Sequence, residues 1–162
     1  MIELLFRFIM YVFFGLSLEI IFSVTGIERI LGIKLNKPYP QKYLVGFVSL
    51  YMIPVHGFGL LFGFELAYKL VSDWNIIWRY LFWCMLFTAA EIFWGWLMEK
   101  TVGFFPWDYY KESKYRFPKS GYSSYTLIPL WGVAGLILEF YSNLMIQLSP
   151  YVKEIILEII FM

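Results

Sequence analysis

Long apolar stretches alternate with short polar segments along the chain. Four of the apolar stretches, at about residues 4–25, 51–71, 76–99 and 126–148, match the roughly 20 residues that a helix needs to cross a bilayer. The pattern predicts an all-α integral membrane protein, in which four transmembrane helices form a single bundle over residues 1–148.

Two segments outside these spans have patterns of their own. The apolar run before the second span begins near Tyr43, and proline is best tolerated in the first turn of a helix. Because Pro54 interrupts this run, Tyr43 to Leu50 is predicted to be a separate interfacial or re-entrant piece. The other segment follows Pro150, and its apolar residues at helical spacing are Val152, Ile155, Ile156, Ile159 and Ile160.

These spacings predict an amphipathic helix over residues 149–162. Such a helix lies on a membrane surface or on a partner protein. The alternative is that the same residues pack as a last stretch on the bundle.

Composition supports the membrane assignment and argues against other classes of protein. The 162 residues are 60% hydrophobic and only 15% charged, whereas a soluble domain has about 25% charged residues. The formal net charge of +1 argues against nucleic-acid binding, which depends on a concentrated basic surface. Cys84 is the single cysteine, so the chain can form no internal disulfide.

Lysine and arginine are distributed unevenly between the two sides of the predicted bundle. The loops at residues 26–42 and 100–125 carry nine of these residues, and the opposite side carries four. Because positively charged loops are retained in the cytoplasm, both loops are predicted to be cytoplasmic and both termini outside, in a bacterial cytoplasmic membrane.

The two halves of the chain repeat each other. Phe13 to Glu19 matches Phe93 to Glu99 in a pattern of aromatic pair, glycine and glutamate, and Ile53 to Gly57 matches Ile128 to Gly132. The repeat predicts two helical hairpins, at about residues 4–71 and 76–148, related by a pseudo-twofold axis along the membrane normal.

Acidic residues fall inside the predicted spans, where a charge is costly. The deep positions are Glu65, Glu91 and Glu139, and the predicted rim of a cavity open to the loop side consists of Glu19, Glu99 and His56. No lysine or arginine is expected to lie deep enough to neutralise the deep acids, so they share protons or hold a cation. Alternatively, each acid hydrogen-bonds a neighbouring group and only stabilises the bundle.

The single histidine of the chain argues against a metal centre. His56 is the only histidine, and it is expected to be neutral unless Glu19 or Glu99 lies beside it. No metal site and no cofactor are predicted, although binding of a hard cation by the carboxylates remains open.

The glycines of the second and fourth spans are predicted to let helices approach closely: Gly57, Gly59, Gly63, Gly132 and Gly135.

The loop after the third span is rich in aromatic residues and carries an acid among them, in Trp107-Asp108-Tyr109. An interfacial aromatic belt explains the aromatics but not the acid. Asp108 either caps a turn of its own loop or binds a cation or hydroxyl at the cavity mouth, with Trp107 and Tyr109 as aromatic walls.

These motifs together resemble a family of small bacterial membrane proteins catalogued as putative type IV ABC-transporter permeases. The resemblance covers about residues 8–140 and rests on Glu19, the Pro54 to Gly59 segment, Glu91 to Glu99, Trp107 to Tyr109, Gly121, and Trp131-Gly132. It implies a transport subunit and names no substrate. The chain contains no Gly-x-x-x-x-Gly-Lys motif, so the ATPase would be a separate subunit.

Three hypotheses for function follow. The first is a transport or solute-binding subunit whose acidic, aromatic-walled cavity takes a cation or a polar small molecule. The second is a membrane enzyme that acts on a lipid or isoprenoid, although the chain offers no arrangement of nucleophile, base and orienting group. The third is an assembly subunit of a membrane complex, or a homo-oligomer, with the C-terminal helix as its docking element.

Overall fold

The computed structural model describes residues 1–34 and 46–162, and these residues are mostly helical. The long elements are α1 (Ile2–Thr25), α2 (Met52–Phe58), α3 (Glu65–Val71), α4 (Ile76–Thr101) and α5 (Ile128–Phe161). A π-helical segment, Gly59–Phe64, joins α2 to α3 without a break, so the chain is helical from Met52 to Val71.

The loop side of the molecule carries short elements. A π-helical turn, Ile27–Leu31, extends α1, and a 3₁₀ segment, Asp108–Glu112, follows α4. Strand β1 (Arg116–Phe117) pairs antiparallel with β2 (Ser123–Ser124), which is the one departure from an all-α fold among the described residues.

Helices α1 and α4 are each long and apolar enough to cross a membrane. Their outward faces are apolar as well, since Leu5, Phe13, Trp78 and Met85 are each more than half exposed. A helix that faced water would carry polar residues there, so these faces suit lipid. The prediction of a helical membrane protein is supported at this level.

The second predicted span begins at Met52, two residues before its proline. Pro54 lies in the first turn of α2, where its missing N–H costs nothing. Residues 43–45 of the predicted interfacial piece lie outside the described residues, and residues 46–49 are not helical. Phe47 N donates to Ser23 Oγ over 3.0 Å, so the described part of this piece is attached to the end of α1.

The C-terminal residues continue α5 and do not form a separate helix. Pro150 lies inside α5 and cannot donate to the carbonyl of Ile146. The Ser149 hydroxyl donates to that carbonyl over 3.0 Å instead, so the helix continues through the proline to Phe161.

The core is divided between the helix bundle and the loop side. Trp83 and Phe64 are fully or nearly fully buried in the bundle, with Leu138 beside them. On the loop side, Phe105, Trp107 and Tyr110 pack on Ile27 and Leu31. The segment after α4 is therefore a packed layer over the loop-side ends of the helices.

The glycines pack in two different ways. An added Cβ would lie 2.1 Å from the Phe8 ring at Gly57, 2.4 Å from the Tyr80 ring at Gly132 and 2.2 Å from Trp83 Cγ at Gly135. A Cβ added at Gly59 or Gly63 would meet no atom of a neighbouring element within 4 Å among the described residues. The predicted close packing therefore holds for the first three glycines and is wrong for Gly59 and Gly63 within this chain.

This difference predicts opposite effects of alanine at two glycines. Gly135→Ala is expected to cost about 1–3 kcal/mol of unfolding free energy, because its methyl group would meet Trp83 near the base of a buried side chain. Gly59→Ala is expected to be neutral or to stabilise by up to about 1 kcal/mol, because alanine favours helix. Unfolding of the two variants in mixed detergent micelles measures this, and equal losses would contradict the packing.

Candidate functional site

Glu65 is held in the bundle by an arginine of α1. Arg7 Nη1 lies 3.0 Å from Glu65 Oε2, and the Tyr11 hydroxyl lies 2.8 Å from Glu65 Oε1. The same hydroxyl lies 2.8 Å from Ser142 Oγ of α5. The carboxylate is buried, yet it is paired and hydrogen-bonded, which is the arrangement that makes a buried charge tolerable.

Glu139 has the same kind of partners in the other half of the chain. Arg79 Nη2 lies 3.4 Å from Glu139 Oε2, and Trp83 Nε1 donates to Glu139 Oε1 over 2.7 Å. The expectation that no arginine reaches Glu65 or Glu139 is therefore wrong. The expectation compared only the depths of the residues along their helices, which do not tell which neighbouring helix a side chain faces. An arginine side chain is also long enough to reach across to a neighbouring helix.

The two ion pairs have matching surroundings. Phe8 covers Gly57 next to the first pair, and Tyr80 covers Gly132 next to the second. In both arginines, Nε is buried without a hydrogen bond to any described residue. The pairs act as equivalent internal supports of the bundle.

Glu19 and His56 form the first part of a polar cluster near the loop side. His56 Nε2 lies 2.7 Å from Glu19 Oε1. Because an ionised carboxylate only accepts hydrogen bonds, Nε2 carries the proton. The side chains of His56 and Glu19 are 18% and 28% exposed, so this pair is only partly buried.

Glu91 forms the second part of the cluster. Trp131 Nε1 donates to Glu91 Oε2 over 3.1 Å. The side chains of Tyr110 and Ser123 also lie beside the carboxyl group of Glu91. Ser123 is fully buried.

Residues 104–125, which we call the cap, cover this cluster. Trp107 Nε1 donates to the Tyr122 carbonyl over 2.7 Å, and the Ser113 hydroxyl donates to the Leu31 carbonyl over 2.7 Å. Gly121 has a φ of 78° and lies so close to Lys111 Cα that an added Cβ would be 3.0 Å away, so only glycine suits this turn. These contacts fix the cap on the ends of the helices.

Two cap tyrosines connect the halves of the cluster. Burial raises the pKa of the Tyr109 hydroxyl, and the negative charges of Glu19 and Glu91 raise it further. Burial likewise raises the pKa of Tyr110 well above its usual value, with Glu91 as the next cause. Both hydroxyls stay protonated at neutral pH and remain hydrogen-bond donors, and both lie within electrostatic reach of the two acids.

Glu99 lies at the edge of the cap and serves a different purpose. It accepts a hydrogen bond from the Tyr122 hydroxyl and one of 2.9 Å from Lys111 Nζ. The bond to Glu99 is the main reason that the pKa of Tyr122 is raised, with burial second. Because both donors belong to the cap, Glu99 attaches the cap to α4.

The predicted site residues therefore separate into three groups. Glu19 pairs with His56, Tyr109 lies within electrostatic range of Glu19 and Glu91, Glu65 and Glu139 are in ion pairs, and Glu99 and Trp107 hold the cap. Asp108 is exposed, and its side chain makes no hydrogen bond to the part of the chain that the structure describes. Five residues that contact these acids were not among the predicted site residues: Arg7, Arg79, Tyr110, Ser123 and Trp131.

We call one set of residues the acidic site: Glu19, His56, Glu91, Tyr109, Tyr110, Ser123 and Trp131. Neither of its carboxylates forms an ion pair with a lysine or arginine among the described residues. Those residues also hold no group of three or more His, Cys, Asp and Glu side chains arranged for a metal ion. The arrangement can therefore attract positive charge and donate hydrogen bonds.

One family model matches the chain. It is described as "Putative ABC-transporter type IV", and the match covers residues 6–162. No curated protein and no solved structure matches the chain.

Proposed function

We propose that this chain has a transport function, because it belongs to the putative ABC-transporter type IV family. The proposed molecule is a membrane subunit of a transporter, and the acidic site binds the cation or polar small molecule that it handles. The observation that carries the proposal is that Glu19 and Glu91, from separate helices, both lie within electrostatic range of the cap tyrosines, and neither is paired with a described lysine or arginine.

The proposed architecture is four membrane crossings in two related hairpins. Arg7 and Arg79, Tyr11 and Trp83, and Glu19 and Glu91 are each separated by 72 positions, and the members of each couple make similar contacts. This register replaces the one predicted from the glycines, which equated Glu19 with Glu99. His56 then corresponds to Trp131, since both direct a ring nitrogen at the glutamate of the helix paired with their own.

This register gives the two acids different partners. Trp131 can only donate its N–H, whereas the imidazole of His56 has a second ring nitrogen that donates or accepts. Ligand binding at the acidic site is proposed to be shared between these two acids.

The proposed setting is a bacterial cytoplasmic membrane, with residues 26–42 and the cap on the cytoplasmic side. Exposed lysines and an arginine of the cap support this orientation: Lys111, Lys114, Arg116 and Lys119. An ATPase subunit is the proposed partner, because a transporter of the ABC type needs one and this chain has no phosphate-binding loop motif.

The proposal predicts that Glu91→Gln removes solute binding and leaves the protein folded. The purified protein in lipid nanodiscs would be heated with a panel of Na⁺, K⁺, Mg²⁺, choline, ethanolamine and glucose. A solute at 100 times its Kd stabilises by about 2.7 kcal/mol, which is readily measured as a rise in Tm. We expect at least one solute to raise Tm, and Glu91→Gln to reduce that rise by at least half.

Glu112→Gln is the matched control, because Glu112 is an exposed acid of the cap outside the acidic site. It is expected to keep the full solute effect. If no solute raises Tm, or if both variants respond as the natural protein does, the proposed function is overturned.

A further inference from the structure

One hairpin of the cap carries positive charge and no acid. It consists of strands β1 and β2 with the residues around them, 114–125, and we call it the basic hairpin. Its basic residues are all exposed: Lys114, Arg116 and Lys119. The hairpin contains no aspartate or glutamate, and none of its basic residues forms an ion pair with a described residue. A group outside this part of the chain is therefore needed to balance the charge.

The backbone of the hairpin is fixed by hydrogen bonds. The Tyr125 amide donates to the Tyr115 carbonyl over 3.0 Å, in addition to the pairing of the two strands. Arg116 Nη1 donates to the Lys111 carbonyl over 3.1 Å, which holds the guanidinium group against the cap. A surface that is already ordered loses little conformational entropy when it binds a partner.

The basic hairpin lies at the ends of the membrane helices. The Ser113 hydroxyl, directly before it, donates to the carbonyl of Leu31 at the end of the turn that extends α1. Helix α5 begins at Ile128, directly after it. Because α1 is long and apolar enough to cross a membrane, its end marks the bilayer surface. The hairpin is therefore at the level of the lipid headgroups.

Exposed tyrosines accompany the positive charges. Tyr115 is 37% exposed and Tyr125 is 58% exposed. Lys114 Nζ lies 4.8 Å from the centre of the Tyr115 ring, and the Tyr125 ring packs on Phe117 with centroids 4.6 Å apart. Tyrosine is enriched where a protein meets the headgroup layer, because it combines an apolar ring with a polar hydroxyl. Tyrosines beside basic residues suit a lipid better than a water-soluble acidic partner.

We infer that the basic hairpin binds the headgroups of anionic phospholipids. The lysine and arginine side chains donate to the phosphate oxygens, and the tyrosine rings lie against the glycerol and the first carbons of the acyl chains. A basic residue near an anionic membrane surface increases affinity about fivefold. This inference needs the membrane setting and does not depend on the proposed transport function.

Phosphatidylglycerol and phosphatidylcholine with the same acyl chains form a matched pair of probes, because the first headgroup is anionic and the second has no net charge. Native mass spectrometry of the full chain, released from detergent micelles, measures the dissociation constant of each lipid. We expect phosphatidylglycerol to bind at least about tenfold more tightly, since only its charge complements the hairpin.

Lys114→Gln combined with Lys119→Gln removes two charges and keeps the Arg116 hydrogen bond. This double variant is expected to weaken phosphatidylglycerol binding at least about tenfold and to leave phosphatidylcholine binding unchanged. Lys69→Gln combined with Lys153→Gln is the matched control, because it removes two exposed charges from the end of the bundle away from the cap. Should the double variant lose its fold, Lys119→Glu alone is expected to weaken phosphatidylglycerol binding at least about fivefold.

Equal binding of the two lipids would overturn the inference. So would a preference for phosphatidylglycerol that the double variant keeps, or one that the control variant loses to the same extent. The exposed charges of the hairpin would then point to an acidic protein surface instead of a lipid.

Discussion

Replacing Arg7 by alanine is expected to destabilise the protein by about 3–5 kcal/mol. Glu65 is buried and would keep only the Tyr11 hydroxyl as a partner, which leaves an uncompensated charge in the bundle. The free energy of unfolding in mixed detergent micelles measures the loss.

The double variant Arg7→Met with Glu65→Leu is expected to recover most of that stability. Replacing a buried ion pair by apolar residues of similar volume is often neutral or stabilising. Tyr11 keeps a partner in this variant, because its hydroxyl also lies 2.8 Å from Ser142 Oγ. If the double variant were as unstable as Arg7→Ala, the loss would come from packing rather than from the unpaired acid.

Lys153 provides the control for charge removal. It lies 3.1 Å from Glu3, and the two side chains are 48% and 37% exposed. Exposed pairs contribute less than about 1 kcal/mol, so Lys153→Ala should have little effect. A loss as large as that of Arg7→Ala would contradict the distinction between the two pairs.

Replacing Trp83 by alanine is expected to lower the free energy of unfolding by about 3–5 kcal/mol. Trp83 is fully buried, and its ring stacks on Phe64 at 4.6 Å and on Phe87 at 5.5 Å. Truncation leaves a cavity and also removes the donor to Glu139. The same unfolding measurement in micelles tests this.

Trp83→Phe separates the two contributions. Phenylalanine keeps most of the ring and loses the N–H. The expected loss in unfolding free energy is therefore about 1.5–3 kcal/mol, the range for a hydrogen bond to a charged group. Trp78→Ala on the same helix is the control, since Trp78 is 64% exposed and should cost no more than about 0.5 kcal/mol. Equal effects at Trp78 and Trp83 would contradict the placement of Trp83 in the core.

The apolar pattern predicted the helices well because it depends on local sequence. The expected spans 4–25 and 76–99 correspond to Ile2–Thr25 and Ile76–Thr101. The end of the fourth helix was missed, because Pro150 is a strong breaker in sequence and only the Ser149 hydroxyl shows why the helix continues.

The contacts of the acids were less predictable. The sequence gives the depth of a residue along its helix, whereas pairing depends on which side of the helix it faces and on residues far away in sequence. Glu91 meets Trp131, which is 40 positions away, and Ser123 and Tyr110 of the cap. A glycine pattern also misled the alignment of the halves, since Gly15 is covered by His56 and Gly95 by Tyr122 of the cap.

Cross-linking tests directly whether Glu19 and Glu91 both lie beside Tyr109 beneath the cap. In a Cys84→Ser background, Glu19→Cys and Glu91→Cys would each be combined with Tyr109→Cys and treated with a short bifunctional thiol reagent. Glu65→Cys with Tyr109→Cys is the control, because its partner Arg7 lies 12 residues before Glu19 in α1, or about 18 Å along the helix. We expect positions 19 and 91 each to be joined to position 109, and position 65 not to be. If only one of the two positions is joined, or neither, the shared acidic site does not exist.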